Sequence, residues 1–341
     1  MGTQFLSFEH LILKIYMFDV ISFGSATLDV FLRSPEMQVE GEGDEKDICV
    51  RYGAKLEVNE IYFEIGGGGT NSAVTFARQG LKAACVVQIG DDFAGEKVIS
   101  DLKKDNIDLS LINIEKGIYT DYSNILWAPD GGRTILVYRG PTRLEAKNVV
   151  WDKLDTQWFY VSSLEGNLEI IRRLVSSFPQ VKIALNPGGR ELKQKEELLS
   201  LLPKITQFNI NKEEMMEFLG TKEIKEIGEL LKEAERLPCE YVVITDDRRG
   251  AYLWDKKNSE WYHSGIFEGS PRFETTGAGD SFGSGLVTGL IKGDTLPDSL
   301  YLASANASSV VSKVGAKKGI LTVEDLKNWP KEKLKIEKMT V

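Results

Sequence analysis

Two periods of apolar residues along the chain predict its elements. From residue 158 onward, short apolar runs alternate with stretches whose apolar residues recur at helical spacing. The predicted strands are 158–162, 181–185, 206–210 and 241–245, and the predicted helices are 168–178, 191–202, 213–219 and 223–237. A further buried strand is expected at 18–24. Strands and helices in alternation indicate βαβ units, hence an α/β fold with a mainly parallel sheet and right-handed crossovers.

A second pattern, apolar and polar residues in strict alternation, predicts antiparallel strands with one wet face. It occupies residues 54–64 and the pair 119–128 and 132–139, which flank a turn at 129–132. Between 40 and 47 the chain is acidic and rich in glycine, which indicates a mobile loop. These stretches predict a small second sheet.

Composition narrows the class of protein. The chain has 341 residues, a formal charge of −9, 27% charged and 42% apolar residues, which is typical of a globular protein. The acidic balance argues against nucleic acid and anionic membranes as partners, and no apolar run approaches the ~20 residues of a membrane span. Three isolated cysteines and two histidines exclude a His/Cys metal site and a histidine triad, and they fit a cytoplasmic location.

The main chemical signal is the glycine-rich segment 274–283, Glu-Thr-Thr-Gly-Ala-Gly-Asp-Ser-Phe-Gly, which leads into a predicted helix. A helix start with glycines offers N–H groups to an anion. Asp280 among those donors suits a group that takes a proton from a hydroxyl, and its place predicts a low pKa. Taken alone, the segment is equally a tight turn before a buried helix. A dinucleotide loop should follow a buried strand, which is missing here, and no Gly-Lys-Ser/Thr of a P-loop occurs.

The same segment resembles the Asp-Thr-x-Gly-Ala-Gly-Asp-x-Phe motif of the ribokinase-like (PfkB) carbohydrate kinases. The resemblance implies an anion hole at Gly277, Ala278 and Gly279, and a catalytic base at Asp280. Glu274 stands where the family has Asp, at a position that helps hold a monovalent cation. Activation by K⁺ is therefore an open question.

Two further segments resemble the acceptor side of that family. Gly24-x-x-x-x-Asp29 and the run Gly66-Gly67-Gly68-Gly69-Thr70-Asn71 match its sugar-binding motifs, and an acid follows the strand at 158–162. The implied acceptor ligands are Asp29, Gly66, Gly67, Asn71 and Glu165. Without the resemblance, Asp29 is a solvated acid in a loop. The glycines then form a flexible hinge, and Thr70 or Asn71 caps the helix that follows.

The nucleotide side is implied by the segments 211–220 and 245–250, which resemble the family's Asn-x-x-Glu and Thr-x-Gly-x-x-Gly motifs. Asn211, Thr245, Gly250 and, by a looser alignment, Asn306 would bind ATP, and Glu214 would order Mg²⁺ through water. Standing alone, the first motif is an ordinary helix N-terminus.

Three charged residues complicate the picture. Asp247 replaces a glycine of the nucleotide loop, so its side chain turns outward or the loop differs. Arg139 and Arg143 are read first as surface charges and second as contacts to an acidic or phosphorylated sugar.

Together these features predict a ribokinase-like three-layer αβα fold with a small β-sheet lid. The kinase domain is expected at 17–330, with the lid from 33–65 and 119–140; residues 1–16 are an extension and 331–341 a tail. The implied function is transfer of the γ-phosphate of ATP to a sugar hydroxyl, with Mg²⁺ as cofactor and a homodimer formed through the lid sheets. A nucleoside kinase of the same family and an inactive sugar-binding regulator are the alternatives.

Overall fold

The computed structural model describes residues 17–42, 46–130, 132–221, 224, 226–273 and 275–340; the expectations for 1–16 and Glu274 fall outside them. The strands are β1 Phe18–Phe23, β2 Thr27–Arg33, β3 Gln38–Glu40, β4 Asp47–Cys49, β5 Glu60–Gly66, β6 Ala83–Val86, β7 Gln88–Gly90, β8 Asn113–Glu115, β9 Asp121–Trp127, β10 Arg133–Tyr138, β11 Thr156–Val161, β12 Lys182–Leu185, β13 Gln207–Asn211, β14 Tyr241–Thr245, β15 Ala251–Asp255, β16 Glu260–Ser264 and β17 Ile336–Met339. The helices are α1 Gly68–Arg78, α2 Phe93–Lys104, α3 Leu168–Ser177, α4 Gly189–Leu192, α5 Lys195–Leu201, α6 Lys212–Leu219, α7 Ile227–Ala234, α8 Ala278–Lys292, α9 Leu296–Val311 and α10 Val323–Lys327.

A nine-stranded sheet forms the centre of the molecule, in the order β17-β16-β15-β14-β13-β12-β11-β1-β6. Strands β6, β1 and β11 to β14 are parallel, while β15, β16 and β17 are added antiparallel. The parallel strands therefore all end at one edge of the sheet, where open α/β folds bind ligands.

Apolar side chains cover both faces of this sheet, as the continuous apolar runs predict. On β1, Ile21 and Phe23 pack with buried residues of α3, α5, α6 and α7. Val20 points to the opposite face and packs with Phe76 of α1 and Val287 of α8. The expected three-layer fold is confirmed.

A separate four-stranded sheet has the order β10-β9-β2-β5. The predicted hairpin is present as β9 and β10, but the strand expected from residue 54 begins only at Glu60. The cause is the length of its partner: β2 ends at Arg33, opposite Glu60, so residues 54–59 have no strand of this sheet to pair with. The first strand of this sheet also begins at Thr27, before the lower bound of 33 expected for the lid.

The C-terminal segment is more ordered than the expected tail at 331–341. Strand β17 pairs with β16 along four residues, from Trp261 opposite Met339 to Ser264 opposite Ile336. Within the described part of the chain, no helix is long and apolar enough to cross a membrane.

Candidate active site

The turn before α8 adopts the shape that its glycines allow. Gly277 has φ 78°, in the left-handed region, and a Cβ built there would lie 2.6 Å from the Cβ of Ala316. Only glycine meets both conditions without strain. At Gly279 a Cβ would meet nothing within 4 Å, so the backbone is open to a ligand on that side. Gly277, Ala278 and Gly279 line the cavities described below, and the Ala278 N–H donates to the Thr275 carbonyl at 3.2 Å.

Asp280, in this first turn, is held by two asparagines from other elements. Asn71 Nδ2 donates to its Oδ2 over 3.0 Å, and Asn186 Nδ2 approaches its Oδ1 at 3.5 Å. Burial raises the pKa of Asp280 above its ordinary value, although the Asn71 hydrogen bond and the charge of Lys317 oppose the shift. The expected low pKa is therefore wrong, because desolvation of the carboxylate outweighs the groups that favour its charged form.

Of the two asparagines, only Asn71 is predicted as a site residue from the sequence. Asn71, predicted as an acceptor ligand, is 2% exposed and spends its amide N–H on Asp280, while its Oδ1 has no hydrogen-bond partner among the described residues. Asn186 was not among the predicted site residues. Its only signal in the sequence is its position directly after a predicted strand.

Asp280 lies in a polar cavity of about 330 Å³ at the carboxyl ends of the parallel strands. Asn211, Glu214, Thr245, Gly277 and Gly279 line the same cavity. The structure thus brings together six of the residues that the sequence singles out, from three separate motifs. The other described residues around it are Gly68, Ser162, Ser163, Asn186, Pro187, Asn209 and Ile210.

Asn211 and Glu214 form a reciprocal cap at the start of α6. The Asn211 Oδ1 accepts from the Glu214 N–H at 2.8 Å, and the Glu214 Oε2 accepts from the Asn211 N–H at 3.0 Å. Burial raises the pKa of Glu214, and the hydrogen bond from the Asn211 backbone opposes this. The motif therefore does form a helix N-terminus, and both residues also line the polar cavity.

A second cavity, of about 430 Å³, adjoins the first and shares Asn211, Thr245 and Gly279 with it. Apolar side chains, among them Phe267 and Phe282, and Gly250 also line it. Because they share residues, the two cavities form one continuous space, and Asp280 lines its smaller part. Such a shape suits a flat ring at one end and an anionic chain leading to the turn before α8.

Asp247, which stands where the family motif has glycine, has a left-handed backbone conformation. Its φ is 41°, and its carboxylate accepts a 2.9 Å hydrogen bond from Nη1 of Arg272. Both side chains line the larger cavity. Asp247 thus adopts a backbone conformation that favours glycine, and Arg272 offsets its charge.

Asn306, predicted to bind nucleotide, has its side chain in the interior of the protein. Its side chain is 1% exposed and lines neither cavity. Its amide donates to Thr75 Oγ1 and to the Ser281 carbonyl, and its Oδ1 accepts from the Leu321 N–H. On α9 it is Ser304, Ala307, Ser308 and Val311 that line the larger cavity.

Asp29, Gly66 and Gly67 lie where the small sheet meets the large one. Asp29 is 6% exposed on β2 and lines neither cavity, so it is no solvated loop acid. A Cβ on Gly66 would lie 2.0 Å from Asp29 Oδ2, so the glycine leaves room for this carboxylate.

Glu165 lies apart from the polar cavity, in a narrow cleft that Asp121, Thr142 and Arg143 also line. Its φ is 57°, and its carboxylate pairs with Arg139 Nη1 at 2.5 Å and with Arg190 Nη1 at 3.8 Å. Arg139 is thus more than a surface charge, because it joins the end of the small sheet to the large one.

Oxygen atoms of the polar cavity suit Mg²⁺, which prefers carboxylate and amide oxygens and retains water. Glu214 supplies the carboxylate, and the buried Oδ1 of Asn209 has no hydrogen-bond partner among the described residues. No group of three or more His, Cys, Asp or Glu residues within those residues could hold a metal by itself. The expectation about K⁺ rests on Glu274, outside the described part of the chain.

Comparison with known proteins places this geometry in a family. The profile of the pfkB family carbohydrate kinases matches residues 17–322. A ribokinase from Haemophilus influenzae is 26% identical over 284 residues, covering 80% of this chain and 89% of the relative. A cytidine kinase from Thermococcus kodakarensis is 24% identical, covering 73% and 88%. The crystal structure of a ribokinase from Cryptococcus neoformans in complex with ADP superposes with a TM-score of 0.73 at 21% identity, covering 91% and 99%, a likeness of fold.

Proposed function

The chain belongs to the PfkB family of carbohydrate kinases and is a sugar kinase, and from this premise we propose how it transfers the γ-phosphate of ATP to an acceptor hydroxyl. Asp280 is the general base. Its carboxylate takes the hydroxyl proton while that oxygen bonds to the γ-phosphorus and the bond to the β-phosphate oxygen breaks, which releases ADP. A raised pKa makes Asp280 a stronger base than an ordinary aspartate.

Gly277, Ala278 and Gly279 stabilise the charge of the transferred group. Two features support this role: the backbone of Gly279 is open to a ligand, and the first turn of α8 has its N–H groups beside Asp280. Donors fixed in this way need no rearrangement when charge develops on the phosphoryl oxygens.

ATP occupies the path formed by the two cavities. The adenine ring of ATP lies among the apolar side chains of the larger cavity. The phosphates run past Gly250, Thr245 and Asn211 towards Gly279. Glu214, through water, and the buried Oδ1 of Asn209 are the groups that would hold Mg²⁺. When bound, this ion neutralises charge between the β- and γ-phosphates.

The acceptor is held by Asp29, Gly66, Gly67 and Glu165 beneath the small sheet, which acts as a lid. Two arginines on or next to β10 support this role: Arg133 Nη2 donates to Thr275 Oγ1 at 3.0 Å, and Arg139 pairs with Glu165. The lid thereby reaches both the turn before α8 and the acceptor side, and a closed lid keeps water from the phosphoryl group.

The acceptor that we propose is a sugar, and a nucleoside is the alternative within the family, since the relatives include a ribokinase and a cytidine kinase. A non-catalytic sugar-binding protein is the remaining alternative. Asp280 argues against it, because a carboxylate held by Asn71 and Asn186 beside the anion-binding turn is what catalysis needs.

A second copy of the chain, bound through the small sheets, is the partner that we propose. The three free thiols fit a cytoplasmic location.

The observation that carries the proposal is the hydrogen bond between Asn71 and Asp280 at the end of the ATP path. The test is ADP release with Mg·ATP and a panel of pentoses, hexoses, ketodeoxy acids and nucleosides. We expect turnover with one class that is lost in Asp280→Asn. Acceptor binding without ADP release in the unchanged protein would instead establish the regulatory alternative.

A further inference from the structure

The ion pair between Asp247 and Arg272 stands out because nothing in the loop requires it. The loop that contains Asp247 is already fixed by its neighbour Asp246, which is 2% exposed and binds Arg249 through two hydrogen bonds of 2.7 and 2.8 Å. Lys212 adds a contact of 3.6 Å to Asp246. The Asp247–Arg272 pair is separate from this anchor and joins two segments that line the larger cavity.

Exposure makes this pair weak. The Asp247 side chain is 69% exposed and that of Arg272 is 25% exposed. Ion pairs open to water contribute only about 0–1 kcal/mol, so a better anion can displace Asp247 from the arginine. A polyphosphate is such an anion, because the planar guanidinium binds phosphate oxygens with two parallel hydrogen bonds.

The position of Arg272 in the larger cavity also favours contact with phosphate. Arg272 lines the cavity together with Thr275 and Gly279, which lie at the end near Asp280. The carboxylate of Asp247 repels phosphates that pass Thr245 and Gly250, and a guanidinium close to both groups offsets this repulsion. Arg272 therefore attracts the nucleotide even after its hydrogen bond to Asp247 is broken.

We propose that Arg272 is a nucleotide-binding residue that turns from Asp247 to the phosphate oxygens when ATP or ADP binds. Asp247 then serves as a resting partner that keeps the guanidinium beside the cavity while it is empty. The proposal rests on the proposed function, in that the two cavities hold the nucleotide. It adds a phosphate-binding residue two positions before the glycine-rich segment 274–283.

The test is calorimetric binding of ADP and of adenosine to the full chain and its variants. Arg272→Met should weaken ADP binding about tenfold or more, the usual effect of losing a hydrogen bond to a charged group, and leave adenosine binding within about twofold. Asp247→Asn should tighten ADP binding, because the arginine loses its competing partner. In the double variant the effect of Asp247→Asn should vanish. Arg236→Met, which removes an exposed arginine paired with Glu233, is the control with the same charge change.

Three outcomes would overturn the proposal. If Arg272→Met binds ADP within about twofold of the unchanged protein while its melting temperature is normal, the arginine does not contact phosphate. If Asp247→Asn weakens ADP binding as much as Arg272→Met, the pair only shapes the loop. If the unchanged protein binds neither ADP nor ATP, the proposed nucleotide site itself fails. Arg272→Lys, which keeps the charge without the planar fork, should bind ADP with intermediate affinity in a normally folded protein.

Discussion

A hydrogen bond of 3.0 Å joins Asn71 Nδ2 to Asp280 Oδ2, although 209 residues separate them in the chain. It ties the start of α1, just after the small sheet, to the start of α8 in the turn that adjoins both cavities. The carboxylate that we assign as the base is thus oriented from the acceptor side of the molecule.

Replacing Asp280 by Asn should abolish turnover without preventing nucleotide binding. Removal of a general base typically lowers rates about 10²–10⁴-fold, and the amide keeps nearly the same shape. Steady-state kinetics with the acceptor found in the panel, together with ADP titration, separates the two effects. Asp294→Asn, at an exposed position after the end of the same helix, is the matched control. Near-normal kcat in Asp280→Asn would show that another group accepts the proton.

Replacing Asn71 by Leu should move the acid limb of the pH profile to higher pH. The Asn71 hydrogen bond lowers the pKa of Asp280 against the effect of burial, so its loss raises that pKa further. A base works only when deprotonated, hence activity should need a higher pH. The measurement is kcat/KM between about pH 5 and pH 9, with the exposed Asn328→Leu as control. An unchanged acid limb would mean that Asp280 does not control it.

Replacing Gly66 by Ala should mimic the loss of Asp29. A Cβ at this position would lie 2.0 Å from Asp29 Oδ2, which must move aside. We expect the acceptor KM to rise about tenfold or more in Gly66→Ala and in Asp29→Ala, with ADP affinity unchanged. Gly189→Ala, where a Cβ meets nothing within 4 Å, is the control. An acceptor KM that stays normal in Asp29→Ala would remove Asp29 from the acceptor site.

The buried side chain of Lys317 should make the free energy of unfolding depend on pH. Its side chain is 5% exposed, and burial lowers its pKa from 10.5 to about 7, against the charges of Asp101, Asp29, Cys85 and Asp105. Between these values the unfolded chain binds more protons than the folded one, so this group makes the free energy of unfolding rise with pH. At or below about pH 7 its full cost is present.

Lys317→Met should therefore raise the melting temperature by about 2–4 °C or more at pH 6. The gain over the unchanged protein should shrink as the pH approaches 10. Thermal melts across this range check the expectation, and Lys318→Met, a neighbour with a half-exposed side chain paired with Glu64, is the control. A variant that is less stable at pH 6 would mean that the buried ammonium is favourable.

The small sheet should mediate self-association. Ile61, Phe63, Leu136 and Tyr138 share one face of it by strand register, and each is between 47% and 54% exposed. A face of this kind favours association with another apolar surface. We expect Phe63→Lys with Leu136→Lys to shift the protein to monomer in sedimentation velocity. Val150→Lys, an exposed apolar position outside this sheet, should leave the mass unchanged. A monomeric unchanged protein would refute the dimer.

The sequence predicts strands β1 and β11 to β14 of the large sheet well, because each is a buried apolar run next to a segment with helical spacing. Strands β13 and β14 differ from their predicted limits by one residue or less. Residues 54–59 mislead because their alternation resembles a strand, whereas pairing depends on the length of β2.

Single residues of the site are harder to predict, because their roles depend on partners that are distant in the chain. Arg272 compensates for Asp247 from 25 residues away, and the burial of Asp280 decides the direction of its pKa shift. Asn306 shows the same limit: a polar residue on a late helix can serve the interior as readily as a ligand.

The C-terminal strand β17 affects whether the folded protein aggregates after proteolysis. Strand β17 supplies the final hydrogen-bonded edge of the nine-stranded sheet, beside β16, which is otherwise an outermost strand with Trp261 and Tyr262. Exposed strand edges pair readily with other chains. Proteolytic removal of residues 336–339 would leave β16 as an unpaired edge strand. The truncated molecules would then associate edge to edge and aggregate.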